Sequence, residues 1–283
     1  MGMFKRSHKV VLAGLAALAI AGMMTGCGMS GGDQKQAAAS GNGQKVELKL
    51  AYQLPAEHHL SKSVEKFAKS LKEAQMVFIP GGFSGGDEPD GSAKFITAFF
   101  RAPEVTEAVR DLLQARDGLM LGICNGFQAL IKLGLVPYGE IRTLDESDPT
   151  LTYNTIGRHA ATHVRTVVSS VKSPWMAGVN VGDIHEVAIS HGEGRFVCRE
   201  GQLRRLMDNG QIVTQYCDEY GIPAAEMPLN PNGSYWAIEG ICSPDGRVLG
   251  KMGHSERTGA YVASNIPGNK DQKIFASGVR YFL

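Results

Sequence analysis

The sequence predicts an α/β fold from about residue 75 to the C-terminus. Residues 76–79 are a short apolar run that ends in a cluster of glycines, which is typical of a strand leading into a tight turn. Pro103 at a first helical position opens an amphipathic helix that residues 117–118 close. Residues 119–123 form a continuous apolar strand, and a second turn and helix follow it. This alternation of strands and helices is the basis of the predicted fold class.

The composition excludes several functional classes. The chain has 283 residues, with 29 Lys and Arg against 28 Asp and Glu and a formal charge of +1. This balance excludes the strongly basic surface that sequence-independent binding of nucleic acid requires. Charged residues make up 20% of the chain and hydrophobic residues 43%, which excludes wholesale disorder and a multi-span membrane protein. The 5 cysteines include no close pair, so they indicate neither a disulfide framework nor a metal site.

The first 44 residues differ in kind from the rest. Basic residues precede an apolar run over residues 10–24, which is typical of a secretory signal. As a helix this run would rise about 22 Å, less than the roughly 30 Å of a bilayer core, and a buried helix is the alternative. The ending Thr-Gly-Cys resembles a bacterial lipobox, which predicts a leader over residues 1–27 with lipidation at Cys27. Residues 28–44, rich in Gly, Ser, Ala and Gln, predict a flexible linker.

A strand and a helix are predicted next. Residues 45–50 alternate polar and apolar side chains, which indicates a half-buried strand. Residues 60–73 carry apolar side chains three and four positions apart, which indicates an amphipathic helix. Together with the leader, this stretch resembles the start of the solute receptors of tripartite ATP-independent periplasmic transporters. The resemblance covers residues 1–74, predicts a receptor-like fragment over residues 45–74, and includes no ligand-binding residue.

Cys124 is the predicted nucleophile. It occupies the centre of a Gly-x-Cys-x-Gly turn between an apolar strand and a helix that starts at Asn125. This arrangement is a nucleophile elbow with cysteine in place of serine. The glycines permit a sharp turn, and the helix N-terminus is expected to stabilise the thiolate. The alternative is an ordinary core cysteine that follows a buried strand.

His254 and Glu256 are the predicted partners of this nucleophile. They follow a strand predicted over residues 247–252, after a hairpin turn at residues 243–246. In extended chain, a spacing of two places both side chains on one side, so the carboxylate can orient the imidazole. A His-x-Glu pair alone is more often a surface charge pair, but a cysteine nucleophile requires a base and a group that orients it.

Several long motifs carry a family resemblance. They are IPGGFSGGDEPDGS, LMLGICNGFQALIKLGLVP, NTIGRHAATHVRT, ISHGEGRF, LNPNGSYWAIEGICSPDGRVLGKMGHSER and IFASGVRYFL. These motifs resemble the C-terminal glutamine amidotransferase domain of the phosphoribosylformylglycinamidine synthase family, over residues 75–283. The resemblance implies a flavodoxin-like α/β sandwich of the class I amidotransferases and an enzyme of purine biosynthesis.

The resemblance also implies catalytic roles at matching positions. Cys124 would attack the side-chain amide of glutamine and form a γ-glutamyl thioester with release of ammonia. His254 would act as base and then as acid, while Glu256 would orient it. The backbone N–H groups of Gly82 and Asn125 would form the oxyanion hole.

Glutamine binding is expected at two further places. Gln128, one helical turn beyond the nucleophile, matches the family position that holds the substrate. The loop with His191, Gly192 and Glu193 would line the other wall of the pocket, although His191 has the alternative of an ordinary loop histidine.

Five other residues are predicted to be structural. Cys198, Cys217 and Cys242 lie in apolar strand contexts and are expected to be core thiols. Tyr235 and Trp236 precede a strand and are expected to pack rather than to bind a ligand.

The sequence departs from the family in two respects. The family's first strand, helix and second strand are expected to be missing, and the strand at 45–50 and the helix at 60–73 are candidates to fill that gap. The protein is also expected to lack the synthetase portion, and its amidotransferase domain is expected to need no cofactor of its own. ATP and Mg²⁺ would belong to the synthetase, which another chain would have to supply.

These departures leave alternatives open. The chain could be an exported, lipid-anchored solute-binding protein, or an inactive fusion of two gene fragments joined near residue 74. The leader argues for export and membrane anchoring through Cys27, whereas the resemblance to an enzyme of purine synthesis argues for the cytoplasm. Glutamine is the expected substrate, and no nucleic-acid partner is expected.

Overall fold

The computed structural model describes residues 59–83 and 91–283. The predicted leader at residues 1–27 with Cys27, the linker at 28–44 and the strand at 45–50 lie outside the described residues. In the described part of the chain, no helix combines the length and the apolar composition that a membrane span requires.

Nine strands and seven helices are found in the described ranges. The strands are β1 (Met76–Ile79), β2 (Leu119–Ile123), β3 (Thr150–Thr152), β4 (Ala160–Val168), β5 (Ile184–His191), β6 (Arg195–Val197), β7 (Ile212–Tyr216), β8 (Ile238–Cys242) and β9 (Val248–Lys251). The helices are α1 (His59–Glu73), α2 (Lys94–Phe100), α3 (Pro103–Arg110), α4 (Asn125–Leu133), α5 (Leu135–Tyr138), α6 (Glu200–Asp208) and α7 (Ile274–Arg280). A π-helical turn (Asp111–Ala115) extends α3, and 3-10 turns cover Pro174–Met176 and Tyr235–Ala237.

Seven of the strands form one mixed sheet in the order β1-β2-β9-β8-β7-β4-β5. β1, β2 and β9 are mutually parallel, and the four other strands join the sheet in antiparallel fashion. The predicted α/β class is thereby confirmed. Because parallel strands end at the same edge of a sheet, the segments that follow β1, β2 and β9 all emerge together.

The centre of the sheet is fully covered. All five residues of β2 are buried, as expected for a parallel strand with helices on both faces. Helix α4 packs so closely that a Cβ on Gly126 would lie 2.0 Å from the carbonyl oxygen of Ile79. Glycine is therefore required at position 126, because it lets the start of α4 approach the end of β1.

The amphipathic helix predicted at 60–73 is confirmed as α1 and belongs to the main hydrophobic core. Val64 and Leu71 are buried in the same cluster as the residues of β1 and β2. The guanidinium of Arg116 donates hydrogen bonds of 2.6 and 2.7 Å to the carbonyl oxygens of Leu71 and Ala74, which closes the C-terminal end of α1. Within the described residues β1 is an edge strand, and the absence of the family's first strands stays a prediction.

The expectations for the structural residues are met only in part. Cys217 and Cys242 are buried thiols, as predicted, whereas Cys198 is only partly buried. Tyr235 and Trp236 are 42% and 39% exposed, and the expectation that they pack rather than bind a ligand stays a prediction.

Candidate active site

Cys124 occupies a strained turn between β2 and α4. Its backbone has φ 53° and ψ −108°, a conformation that costs energy in a residue with a Cβ. The N–H of Cys124 donates to the carbonyl oxygen of Lys251 at 2.9 Å, and its own carbonyl accepts from the N–H of Gln128 at 3.0 Å. The neighbouring strand and helix therefore hold the nucleophile elbow that the glycines predict.

Burial of the Cys124 side chain favours its protonated thiol form. Burial raises its pKa to about 11, while the backbone N–H groups of Asn125 and Gly82 and the charge of Arg257 act against that rise. The thiol lies within hydrogen-bond distance of the carbonyl oxygen of Ser190, at 3.5 Å. The expected stabilisation of the thiolate by the helix N-terminus is present, since the N–H of Asn125 lowers the pKa, but desolvation outweighs it.

The two N–H groups predicted as an oxyanion hole do converge on the sulfur. Gly82 lies just beyond the end of β1, and Asn125 is the first residue of α4. Both N–H groups lower the pKa of Cys124, so both point toward the sulfur atom. Gly82 has φ 133°, which only glycine adopts readily, and this turns its N–H toward the nucleophile.

His254 and Glu256 form a close pair. Nδ1 of His254 lies 2.5 Å from Oε1 of Glu256. The predicted pairing is found, but its predicted cause, extended backbone, is wrong. The chain turns at this point, with the N–H of Arg257 donating to the carbonyl oxygen of His254 at 3.1 Å. The N–H of His254 donates to Ala188 on β5 at 2.8 Å, which anchors the turn to the sheet.

The Glu256 carboxyl is held in its ionised form. Burial would raise its pKa, but the hydrogen bond with His254 and the charge of that ring have the opposite effect, and the pKa is lowered. An ionised carboxylate on Nδ1 keeps the proton of the imidazole on that nitrogen and leaves Nε2 as the basic atom.

Gly81 is the point where the thiol and the imidazole meet. A Cβ at this position would lie 2.6 Å from Cε1 of His254 and 3.0 Å from Cβ of Cys124. Side chains from the ends of β2 and β9 therefore meet beside the end of β1. Among the described residues, no hydrogen-bond partner reaches Nε2 of His254.

Gln128 and Glu193 come together on a second wall of the site. The amide of Gln128 donates to the carbonyl oxygen of Glu193. The carboxylate of Glu193 accepts hydrogen bonds from the N–H of Ser92 at 3.2 Å and from its hydroxyl at 2.8 Å. This wall is therefore formed by α4, the loop after β5 and the segment before α2. The contact of Ser92 with Glu193 is not evident in the sequence.

Asn154 holds the same loop through hydrogen bonds to its backbone. This residue was not identified from the sequence. Its side chain donates to the carbonyl oxygen of His191 at 2.9 Å and accepts from the N–H of Gly194 at 3.1 Å. Its backbone N–H donates to Gly192 at 2.9 Å. The only available signal was its place in the motif NTIGRHAATHVRT.

His191 is buried against this loop. Its side chain is 2% exposed, and burial lowers its pKa to about 4, so the ring is neutral. A Cβ on Gly194 would lie 2.3 Å from the ring, which shows how closely the loop covers it. This position favours the alternative that His191 is a structural residue of the loop.

No group of three or more His, Cys, Asp and Glu side chains in residues 59–83 and 91–283 is arranged to hold a metal ion.

The chain is similar to known proteins in sequence and in fold. A family model described as a CobB/CobQ-like glutamine amidotransferase domain matches residues 23–282. Phosphoribosylformylglycinamidine synthase subunit PurQ of Methanococcus maripaludis is 38% identical over 198 residues, which cover 67% of this chain and 68% of that one. The same subunit of Aquifex aeolicus is 34% identical over 205 residues, which cover 72% and 79% of the two chains.

A solved structure supports the same relationship. The structure of PurLQS from Thermotoga maritima matches with a TM-score of 0.55 and 25% sequence identity, over 75% of this chain and 81% of that chain. On the extent of the family match and the identity to these relatives, the chain belongs to the CobB/CobQ-like glutamine amidotransferase family.

Proposed function

We propose that this chain is the glutaminase subunit of a phosphoribosylformylglycinamidine synthase. It hydrolyses glutamine to glutamate and supplies the ammonia to a synthetase chain. The observation that carries the proposal is the meeting of Cys124, His254 and the N–H groups of Gly82 and Asn125 at one edge of the sheet. The names of the relatives in Methanococcus and Aquifex support the choice of this synthase among glutamine-dependent enzymes.

The first half of the reaction forms a thioester. Nε2 of His254 takes the thiol proton of Cys124, and the sulfur attacks the side-chain amide carbon of glutamine. The N–H groups of Gly82 and Asn125 stabilise the oxygen of the tetrahedral intermediate, each by roughly 3–4 kcal/mol. His254 then donates its proton to the amide nitrogen as the carbon–nitrogen bond breaks. Ammonia leaves, and a γ-glutamyl thioester remains on the sulfur.

The second half of the reaction hydrolyses that thioester. His254 takes a proton from a water molecule, and the hydroxyl oxygen attacks the thioester carbon. The carbon–sulfur bond breaks, the thiol of Cys124 regains its proton, and glutamate leaves. Glu256 holds the imidazole through both halves and stabilises its charged form. Every proton in this cycle is carried by residues of the chain or by water.

The substrate is held between α4 and the loop after β5. We assign Gln128, Gly192 and Glu193 to the binding of glutamine, and His191 to the support of the loop from behind. The contact of Gln128 with Glu193, and that of Glu193 with Ser92, support this assignment, because they hold these residues together on one wall of the site.

A synthetase chain is the proposed partner. The name PurLQS, which the Thermotoga relative carries, supports a complex of several subunits for that protein. ATP and Mg²⁺ would be used by the synthetase, which makes the cytoplasm the proposed place of the reaction. The leader at residues 1–27, lipidation of Cys27, the linker at 28–44 and the receptor-like fragment at 45–74 remain proposals from the sequence.

The test is a glutaminase assay on the full chain, alone and with a synthetase partner. Ammonia release is compared between wild type, Cys124→Ala and the matched control Cys198→Ala. We expect loss of activity in Cys124→Ala alone, and covalent labelling of Cys124 by a diazoketone analogue of glutamine. Equal ammonia release by wild type and Cys124→Ala would refute the proposal.

A further inference from the structure

A buried ion pair lies beside the residue that precedes the proposed catalytic histidine. Nζ of Lys251, the last residue of β9, is 2.9 Å from Oε1 of Glu239 on the adjacent strand β8. The two side chains are 1% and 0% exposed. Burying both charges is costly, and a buried ion pair seldom stabilises a fold more than apolar residues in the same place would. We therefore expect this pair to have a role other than stabilising the fold.

The ion pair holds both polar backbone groups of Gly253, the residue before His254. Nζ of Lys251 donates to the carbonyl oxygen of Gly253 at 2.9 Å. The N–H of Gly253 donates to Oε1 of Glu239 at 2.5 Å. A Cβ at position 253 would lie 2.7 Å from that oxygen and 3.0 Å from Nζ, so a side chain at this position would displace the ion pair.

Glu239 is itself fixed in place. The hydroxyl of Thr214 on β7 donates to its second carboxylate oxygen, and the N–H of Met252 donates to its backbone carbonyl at 3.0 Å. The carboxylate is thus bound by the hydroxyl, the ammonium and the Gly253 N–H together. These partners hold the Glu239 side chain in one position. Because its carboxylate accepts the N–H of Gly253, the position of Gly253 is fixed as well.

The ammonium of Lys251 also acts on the catalytic pair electrostatically. Burial raises the pKa of Glu256, and the hydrogen bond with His254, followed by smaller contributions that include the Lys251 charge, brings it down. The ion pair is therefore close enough to the pair of His254 and Glu256 to influence its charge.

We propose that Glu239 and Lys251 are positioning residues that clamp Gly253 and so fix His254 for proton transfer with Cys124. This inference rests on the proposed glutaminase function. Neither side chain touches the substrate in this scheme. Both act only through the backbone that carries the imidazole.

The test replaces both charges together, because a single replacement leaves one buried charge without its partner. The variant K251M/E239Q keeps a similar volume and an acceptor for the Gly253 N–H, but it lacks the donor to the Gly253 carbonyl. Its matched control is R165M/E186Q, which removes the ion pair between β4 and β5, where Nε and Oε1 are 2.7 Å apart. The variant T214V removes only the hydroxyl that orients Glu239. It replaces the double variant in the test if the double variant does not fold.

We expect K251M/E239Q to lower kcat by about 10–100-fold and to change KM by less than about twofold, because a small misplacement of a catalytic group slows only the chemical step. T214V is expected to lower kcat several-fold with the same KM. The control should match wild type in both constants. An unchanged kcat in folded K251M/E239Q would overturn the inference. If the double variant does not fold, an unchanged kcat in T214V would overturn it. A rise in KM without a fall in kcat would also overturn it.

A second readout separates this inference from the proposed function. The ring N–H of His254 that bonds to Glu256 is followed by NMR in the full chain and assigned by its loss in His254→Gln. We expect this resonance to shift or broaden in K251M/E239Q and T214V and to persist in the control. If wild type released no ammonia, the proposed function would fail, but the resonance would still decide whether the ion pair positions the histidine.

Discussion

Nδ1 of His254 lies 2.5 Å from Oε1 of Glu256, and within the described residues Nε2 of the same ring has no hydrogen-bond partner. The carboxylate therefore fixes the tautomer, and the opposite nitrogen is left to exchange protons with Cys124. Because only Nδ1 of the ring is hydrogen-bonded to a side chain in the described part of the chain, Nε2 can accept a proton without first breaking a hydrogen bond.

Glu256→Gln is expected to lower kcat by about 10²–10⁴-fold with little change in KM. The amide keeps the shape of the carboxylate but cannot stabilise a charged imidazole, and it can reverse the tautomer. Steady-state glutaminase kinetics would measure both constants. Glu107→Gln, which alters an exposed ion pair on α3, is the matched control and should match wild type. Equal kcat in the two variants would contradict the proposed role of Glu256.

Gly81→Ala is expected to abolish most activity while the protein stays folded. The new Cβ would lie 2.6 Å from Cε1 of His254, so the imidazole must move away from Cys124. A displacement of about 1 Å is enough for a loss of roughly 100-fold. Gly201→Ala on α6 is the matched control, since its Cβ would meet only the end of Arg205 at 3.9 Å. Ammonia release together with thermal unfolding measures the effect, and full activity in Gly81→Ala would show that the ring can retreat without cost.

Asn154→Ala is expected to raise KM for glutamine more than it lowers kcat. The substitution leaves buried groups of His191 and Gly194 without a partner, at a cost of about 1–3 kcal/mol. The loop that carries Glu193 would then be less well ordered, while the catalytic pair is untouched. Glutaminase kinetics against Asn209→Ala, at the exposed end of α6, would test this. A pure loss of kcat would instead connect Asn154 to the chemical step.

Stability is expected to fall as the pH rises from about 9 to 11. Burial raises the pKa of Cys124 to about 11 and that of Cys242 to about 12, from an ordinary value of 9.0. Between these limits the folded protein binds more protons than the unfolded chain, so the free energy of unfolding decreases with increasing pH. Each such thiol contributes a slope of about 1.4 kcal/mol per pH unit.

Urea unfolding under reducing conditions, at several pH values between about 8 and 11, would measure this slope. Cys242→Ala should reduce it, because one of the shifted thiols is removed. A stability that is constant over this range would contradict the raised pKa values.

The local parts of the site are readable from the sequence. Cys124 is recognisable because an apolar strand, flanking glycines and a helix start all lie within a few residues of it. The pairing of His254 with Glu256 follows from their spacing, although a turn rather than a strand brings them together. The raised pKa of Cys124 was not predictable, since it depends on how completely other segments bury the thiol.

The supporting parts of the site depend on contacts between distant segments. Ser92 and Glu193 are separated by 101 positions, and no local pattern relates them. Lys251 and Glu239 left a signal that sequence reasoning missed. Each is a charged residue within an otherwise apolar strand, and such residues are rarely fully buried unless they are paired.

The raised pKa of Cys124 has a consequence for oxidative chemistry. Because burial raises this pKa, only a small fraction of the thiol is ionised at pH 7. Peroxides react with the thiolate and hardly at all with the thiol, so the nucleophile resists oxidation to sulfenic acid in this state. The burial that raises the pKa of Cys124 therefore also protects the proposed nucleophile against oxidation.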